Sequence, residues 1–156
     1  MKARKSWREK LETGRPAKVV KIPPRLRKRM GTGTILIPRP LDVDALIRKI
    51  PRGRLATPAQ LRDKLARAAR ADCACPMTTG IFVRISAEAA EEAARAGAAR
   101  VTPYWRVVRE DGKLMEKLPG GPAAQAERLR QEGHEIDESG KWRVKNLEGA
   151  LVRFRG

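Results

Sequence analysis

Few side chains in this sequence are able to carry covalent chemistry. There are two cysteines, Cys73 and Cys75, and one histidine, His134. One residue separates the cysteines in Asp72-Cys-Ala-Cys-Pro76, a spacing that strains a direct disulfide, and a single histidine leaves too few ligands for a zinc site. They read as reduced structural thiols, although Cys75 opens a helical stretch whose dipole would lower a thiol pKa, which makes it the one sulfur placed to act as an acceptor. His134 follows Glu132-Gly133, a helix stop, and reads as a surface residue rather than a catalytic base. The residues call for no metal and no cofactor.

A second group of residues suits recognition rather than catalysis. Tyr104 and Trp105 stand together in a chain poor in aromatics. They fit the wall of a base-binding pocket, where stacking is worth roughly 1–3 kcal/mol per base, and equally fit packing beneath a hairpin. Thr78 and Thr79 open a helix, where hydroxyls and backbone N–H groups suit a phosphate as well as they suit ordinary capping. Arg84 and Arg106 are the candidates for groove and pocket contacts. Thr57 and Gly80 complete the expected DNA-binding set of Thr57, Thr78, Thr79, Gly80, Arg84 and Arg106.

Charge names the partner class. Lys and Arg number 35 against 18 Asp and Glu, a net charge of +17. Each phosphate neutralised by a cation releases condensed counterions, so such a chain binds a nucleic-acid backbone without reading sequence. The first 30 residues hold twelve Lys and Arg against Glu9 and Glu12, more than half of the net charge. Pro16, Pro23 and Pro24 interrupt them, and only Ser6 to Leu11 has a helical pattern, with Ser6 as N-cap and Glu9 three residues on. The segment 1–40 therefore reads as a basic extended arm that orders on its partner. No run approaches the roughly 20 apolar residues of a membrane span, and the N-terminus lacks the apolar middle of a signal peptide, so a cytoplasmic, nucleoid-associated monomer with no membrane contact is expected.

The elements that position these residues are mostly helical. Gly31 to Pro38 is a short β-prone run, and Val43, Leu46, Ile47 and Ile50 recur at helical spacing. Thr57, Pro58 and Gln60 form a complete helix start, and the helix they open ends in the turn from Asp72 to Pro76. A longer helix follows from about Met77 to Ala96, with Met77, Ile81, Ile85 and Ala89 as its apolar stripe and Glu88, Glu91 and Glu92 crowding its later half. Its early half is then the part that meets DNA. A basic hairpin at Trp105 to Leu114 turns on Asp111-Gly112, a helix runs from Ala123 to Glu132 and stops at Gly133, and the tail forms a hairpin around Glu138-Ser-Gly140 with a last short helix near Leu147. Two helices across a tight turn followed by a hairpin make the order of a winged helix-turn-helix. The fold expected is mainly α with a small β wing: arm 1–40, winged domain 41–136, and a C-terminal hairpin and short helix over 137–156.

Pro103-Tyr104-Trp105-Arg106-Val107-Val108, then Asp111-Gly112, Gly120-Gly121, and Gln125 through Leu129 to Glu132-Gly133, resembles the C-terminal DNA-binding domain of O6-alkylguanine-DNA alkyltransferases. Ile50-Pro51-Arg-Gly53 and the capped helix at Thr57 resemble that domain's entry, so the likeness spans Leu41 to Ile136. It implies a helix that enters the minor groove and rotates a damaged guanine out of the stack. It also implies an acceptor cysteine and a histidine base in a Pro-Cys-His-Arg-Val motif. Tyr104 stands in the first position and Trp105 in the second. A phenol with pKa of about 10 is far less ionised at neutral pH than a thiol at about 8.5, and its oxygen is a poorer nucleophile toward an alkyl carbon.

The chain is thus closest in kind to the non-catalytic alkyltransferase-like proteins, which the resemblance associates with lesion binding and recruitment of excision repair. The family's arginine finger falls on Gly80 and its nucleotide-rotating tyrosine near Pro58, with Arg84 one turn beyond the finger, and the hinge asparagine is absent from Ala96 to Thr102. The function expected is non-enzymatic binding of double-stranded, alkylated or distorted DNA that flags it for repair proteins. The alternative is an RNA- or ribosome-associated scaffold that kept the fold and lost lesion recognition; a working alkyltransferase would need an acceptor elsewhere.

Overall fold

The computed structural model describes residues 4–154; Met1, Lys2 and Ala3 of the expected arm, with Arg155 and Gly156, lie outside the described residues. The larger helices are α3 (Pro40–Ile47), α4 (Pro58–Ala68), α5 (Pro76–Arg95) and α6 (Gly121–Gln131), in a fold that is mainly helical with short strands. Local sequence chemistry sets their ends. Before α4 the Thr57 hydroxyl accepts from the Gln60 backbone at 3.3 Å while the Gln60 side chain accepts from Thr57 N at 3.1 Å, and Pro58 sits where no amide hydrogen is needed. After α6, Gly133 takes φ +92°, a conformation that costs glycine little and any other residue more.

These helices enclose one main core. Val43, Ile47 and Ile50 from the α3 region, Leu61 of α4, Val83 and Ala87 of α5, and Leu129 of α6 meet Leu55, Val107 and Val108 there, all essentially inaccessible to water.

The first forty residues correct the expectation of an extended arm. α1 (Trp7–Glu12), capped by Ser6 as its sequence requires, lies against α3 and α5 and buries Leu11. Its first amides donate to a side chain of α5: Trp7 N and Arg8 N reach the Glu92 carboxylate at 3.0 and 3.2 Å, so an acid meets the positive end of the helix. β1 (Lys18–Lys21) pairs antiparallel with β2 (Thr34–Ile37), and β2 pairs parallel with β3 (Cys73–Ala74), in the order β1-β2-β3. A 3-10 turn at Pro24–Leu26 and the single-turn α2 (Arg27–Met30) link the first two strands. The physical reason lies in Leu11, Ile22, Ile35 and Leu36, each 8% exposed or less, which the count of cations overshadowed. Burying such side chains gains about 1.5–3 kcal/mol apiece, more than screened repulsion among lysine and arginine heads that stay in water.

The segment that joins α5 to α6 runs through a 3-10 turn at Tyr104–Arg106 and a tight turn closed by Arg109 N donating to Lys113 O at 2.9 Å, with Gly112 at φ +85°. Trp105 and Arg106 therefore lie in a helical turn where the sequence had placed them on a hairpin strand. The turn continues into the C-terminal β unit. Lys113 bridges Arg143, and Leu114 N donates to Trp142 O, alongside β4 (Ile136–Asp137) and β5 (Arg143–Val144), with α7 (Leu147–Ala150) beyond.

Candidate nucleic-acid interface

α5 keeps the later half of its expected apolar stripe inward, with Ala89 buried and Ile85 partly buried, but turns the early half out. Thr79, Val83, Ser86, Ala87 and Ala90 are buried, while Met77 and Ile81 are 76% and 52% exposed. Polar anchors override the stripe: Thr79 Oγ1 donates to Cys75 O at 2.7 Å, and Ser86 Oγ donates to the buried Asp44 carboxylate, which also accepts from Thr102 Oγ1 at 2.8 Å and from Arg48 at 2.9 Å. A buried carboxylate with three donors fixes the rotation of the helix against α3 more firmly than undirected apolar contact does. The early half of α5 consequently shows solvent Met77, Gly80, Ile81 and Arg84, with open space where a side chain on Gly80 would project.

Thr57, expected both as a helix cap and in the DNA-binding set, and Thr78 and Thr79, open to a phosphate or to ordinary capping, are engaged inside the protein. Thr57 is buried in the α4 cap, Thr79 is fully buried, and the Thr78 hydroxyl donates to Cys75 Sγ at 3.2 Å. Arg84 remains exposed, its guanidinium 6.0 Å from the Trp7 ring centre, where Lys10 Nζ lies over the same ring at 4.1 Å. Trp7 thus belongs beside the helix face, in a cationic setting that a reading of the N-terminus as an unfolded arm could not supply.

Of the two readings open for Tyr104 and Trp105, the wall of a base pocket and packing beneath a hairpin, the structure has them packed, at 4% and 7% exposure, edge to face with ring centres 5.3 Å apart. Adjacent strand residues point to opposite faces, but a 3-10 turn lets both turn inward. The Tyr104 hydroxyl donates to Glu91 Oε1 at 2.6 Å, Arg128 reaches the same oxygen at 3.2 Å, and the Arg128 guanidinium lies 4.2 Å from the Trp105 ring centre. Burial above all, and then the Glu91 carboxylate, push the phenol pKa well above its ordinary value, so Tyr104 stays protonated and non-nucleophilic.

Arg106, expected at DNA, is a buried structural cation. Its side chain is 13% exposed and donates twice to Glu132, at 2.8 and 2.7 Å, and once to Ile50 O at 2.7 Å. Burial pushes the Glu132 carboxyl up, but the Arg106 hydrogen bonds, the neighbouring Trp105 indole and the charges of Arg106 and Arg52 together hold it below its usual value. The two residues clamp the end of α6 to the end of the α3 region. His134, expected at the surface, is partly buried beside this pair; burial chiefly, and Arg106 in addition, lower its pKa against the pull of Glu132.

Sequence reasoning gave no such role to four residues that shape the site. Gln125 is 2% exposed and its amide bonds Met115 N, Trp105 O and Val107 O at 2.7–3.0 Å, tying α6 to the Tyr104–Arg106 turn. Asp44 sits four residues before Arg48, a spacing that reads as an exposed pair, and Glu91 and Glu92 read as a solvated acidic run. Their signal was position: each falls on a helix edge that tertiary neighbours cover.

The described residues thus define a cationic, mainly helical domain that presents one partly apolar helix face, and among them no group of three or more His, Cys, Asp or Glu is arranged to hold a metal. Among solved structures the chain is similar to that of S. pombe Atl1 in complex with damaged DNA containing O6-carboxymethylguanine, at 20% identity and a TM-score of 0.49 over 73% of this chain and 94% of that one. It is also similar to S. pombe ATL in complex with DNA, at 19% identity and a TM-score of 0.46 over the same shares. No protein-family model matches the chain, and none of the curated proteins does.

Proposed function

We propose that this chain is a non-enzymatic DNA-binding protein that recognises alkylated or distorted duplex and marks it for repair proteins. The observation that carries the reading is the early half of α5, which holds Met77, Gly80, Ile81 and Arg84 in solvent on a chain of net charge +17. Exposed apolar side chains beside cations suit a groove whose base steps are loosened, because unstacking admits an apolar wedge while phosphates pair with the rim. The filled space around Tyr104 and Trp105 goes with recognition of distortion in the duplex rather than storage of an extruded base, and Tyr104 supplies no acceptor for an alkyl group.

The test is a fluorescence-anisotropy titration of matched duplexes with and without O6-methylguanine, in competition with structured RNA. Tighter binding to the lesion duplex, lost in Met77→Ala/Ile81→Ala, is the expected result. The buried aromatic pair also favours a second reading, an RNA- or ribosome-associated scaffold that abandoned lesion recognition. RNA displacing both duplexes at equal concentration would establish that reading in place of the first.

A further inference from the structure

The folded N-terminal segment does more than cover the core. Asp72, in the loop between α4 and β3, accepts from Thr34 N at 2.8 Å and Thr34 Oγ1 at 3.1 Å. Gly33, at φ +118°, leaves no room for a Cβ, which would stand 2.3 Å from Asp72 Oδ2. Ile22 N donates to Gly33 O, which closes the link from β1 through α2 to β2 at its base, and Cys75 N donates to Leu36 O, which holds β2 against the start of α5. This arrangement sets α2 at the mouth of a 730 Å³ cleft.

Three arginines from three separate elements line that cleft: Arg29 of α2, Arg62 of α4 and Arg109 of the tight turn. None of the three has a carboxylate partner among the described residues. The acids of the lining are already engaged. Asp63 pairs with Arg67 at 3.2 Å, Asp72 holds Thr34, and Glu110 accepts from Ala59 N at 3.0 Å. Asp63 is offset by Arg67, and Asp72 and Glu110 keep their charge while holding backbone amides, so what the cleft offers an outside anion is three arginines on three elements, none tied up in an ion pair, on a chain of net charge +17.

We propose that this cleft is a second DNA-contact site, where Arg29, Arg62 and Arg109 neutralise phosphates of one backbone strand beside the groove that α5 enters. The inference rests on the DNA-binding reading above and deepens it: the N-terminal segment acts as a rigid jaw of the binding surface, set in place before DNA arrives.

Full-length wild type, Arg29→Ala/Arg62→Ala/Arg109→Ala, and a control Arg95→Ala/Arg100→Ala at the far end of α5 are titrated with undamaged duplex from 50 to 200 mM salt. Each lost phosphate contact lowers the slope of log affinity against log salt by about 0.9, so the triple variant flattens by about 2.7 while the control stays close to wild type. A duplicate set with glutamine at the three positions, checked by thermal melting, keeps the comparison valid if the alanine set unfolds. No binding by wild type at any salt would sink the DNA-binding reading itself. Wild-type binding with an unaltered slope in the triple variant, or weakening on structured RNA but not on duplex, would overturn this inference alone.

Discussion

Replacing Arg106 with alanine separates a structural cation from a DNA contact. The guanidinium makes three charge-assisted hydrogen bonds at 2.7–2.8 Å, and its removal leaves the Glu132 side chain, 4% exposed, without its main counterion. Arg52 does not replace it, because its nearest nitrogen lies 3.8 Å away and its own side chain is 68% exposed. Stranding one member of a buried pair costs about 3–5 kcal/mol. In a domain of this length each kcal/mol shifts Tm by roughly 2–4 °C, so a drop on the order of 10 °C is expected. Replacing both partners by apolar residues, as in Arg106→Met/Glu132→Leu, removes the stranded charge and recovers most of that loss.

The pH dependence has a definite sign. In the wild type Glu132 is held below its unfolded value, so its contribution to stability is present above that value and fades as pH falls through the folded one. In Arg106→Ala only the Trp105 indole and the more distant Arg52 still oppose burial, so the carboxyl rises and protonation in mild acid relieves the penalty. The gap between wild type and variant should therefore be widest near pH 7 and narrow toward pH 4. Chemical denaturation of both proteins across that range, with duplex affinity measured well below Tm, makes the check. Melting within about 1 kcal/mol of wild type together with lost affinity would refute this reasoning and return Arg106 to the DNA surface.

Tyr104→Phe removes a hydroxyl that donates to Glu91 at 2.6 Å and should cost about 1.5–3 kcal/mol in chemical denaturation. Incubation with an O6-methylguanine oligonucleotide should leave the intact mass of the wild-type protein unchanged, as measured by mass spectrometry. Asp44→Ala strips Ser86 and Thr102 of their shared acceptor and should destabilise by roughly 2–4 kcal/mol, with amide exchange accelerating along both α3 and α5. Gly33→Ala forces a Cβ against Asp72 and should release β1 and β2 selectively, which hydrogen exchange at Val20 and Ile22 would report while α6 stays protected.

The elements most legible in the sequence were those specified by adjacent residues. The Thr57-Pro58-Gln60 start, the Ser6 cap, the Gly133 stop and the tail hairpin each follow from a few neighbouring side chains, and the structure contains all four. What depended on distant partners was not legible. The rotation of α5 is fixed by Asp44, forty-two residues from Ser86, so a stripe of Met77 and Ile81 that satisfies helical periodicity still faces water. Trp105 and Arg106 were placed on a hairpin strand that they do not form. Arg106 illustrates the limit for charge: a cation near a suspected site reads as a ligand contact until its carboxylate, twenty-six residues away, is seen to claim it.

The middle position of β2 has a consequence for the order in which the protein is made. Its parallel partner β3 lies beyond α3 and α4, so β1 and β2 can pair with each other early, but the second edge of β2 has no neighbour until both helices have been synthesised. Until then the most cationic stretch of the polypeptide emerges without its docking edge, with Ile22, Ile35 and Leu36 uncovered. A shortened gene product lacking these strands would carry the reverse defect, a bare edge at Cys73–Ala74 immediately ahead of α5. Truncation from the front therefore perturbs the start of α5 rather than removing an ornament.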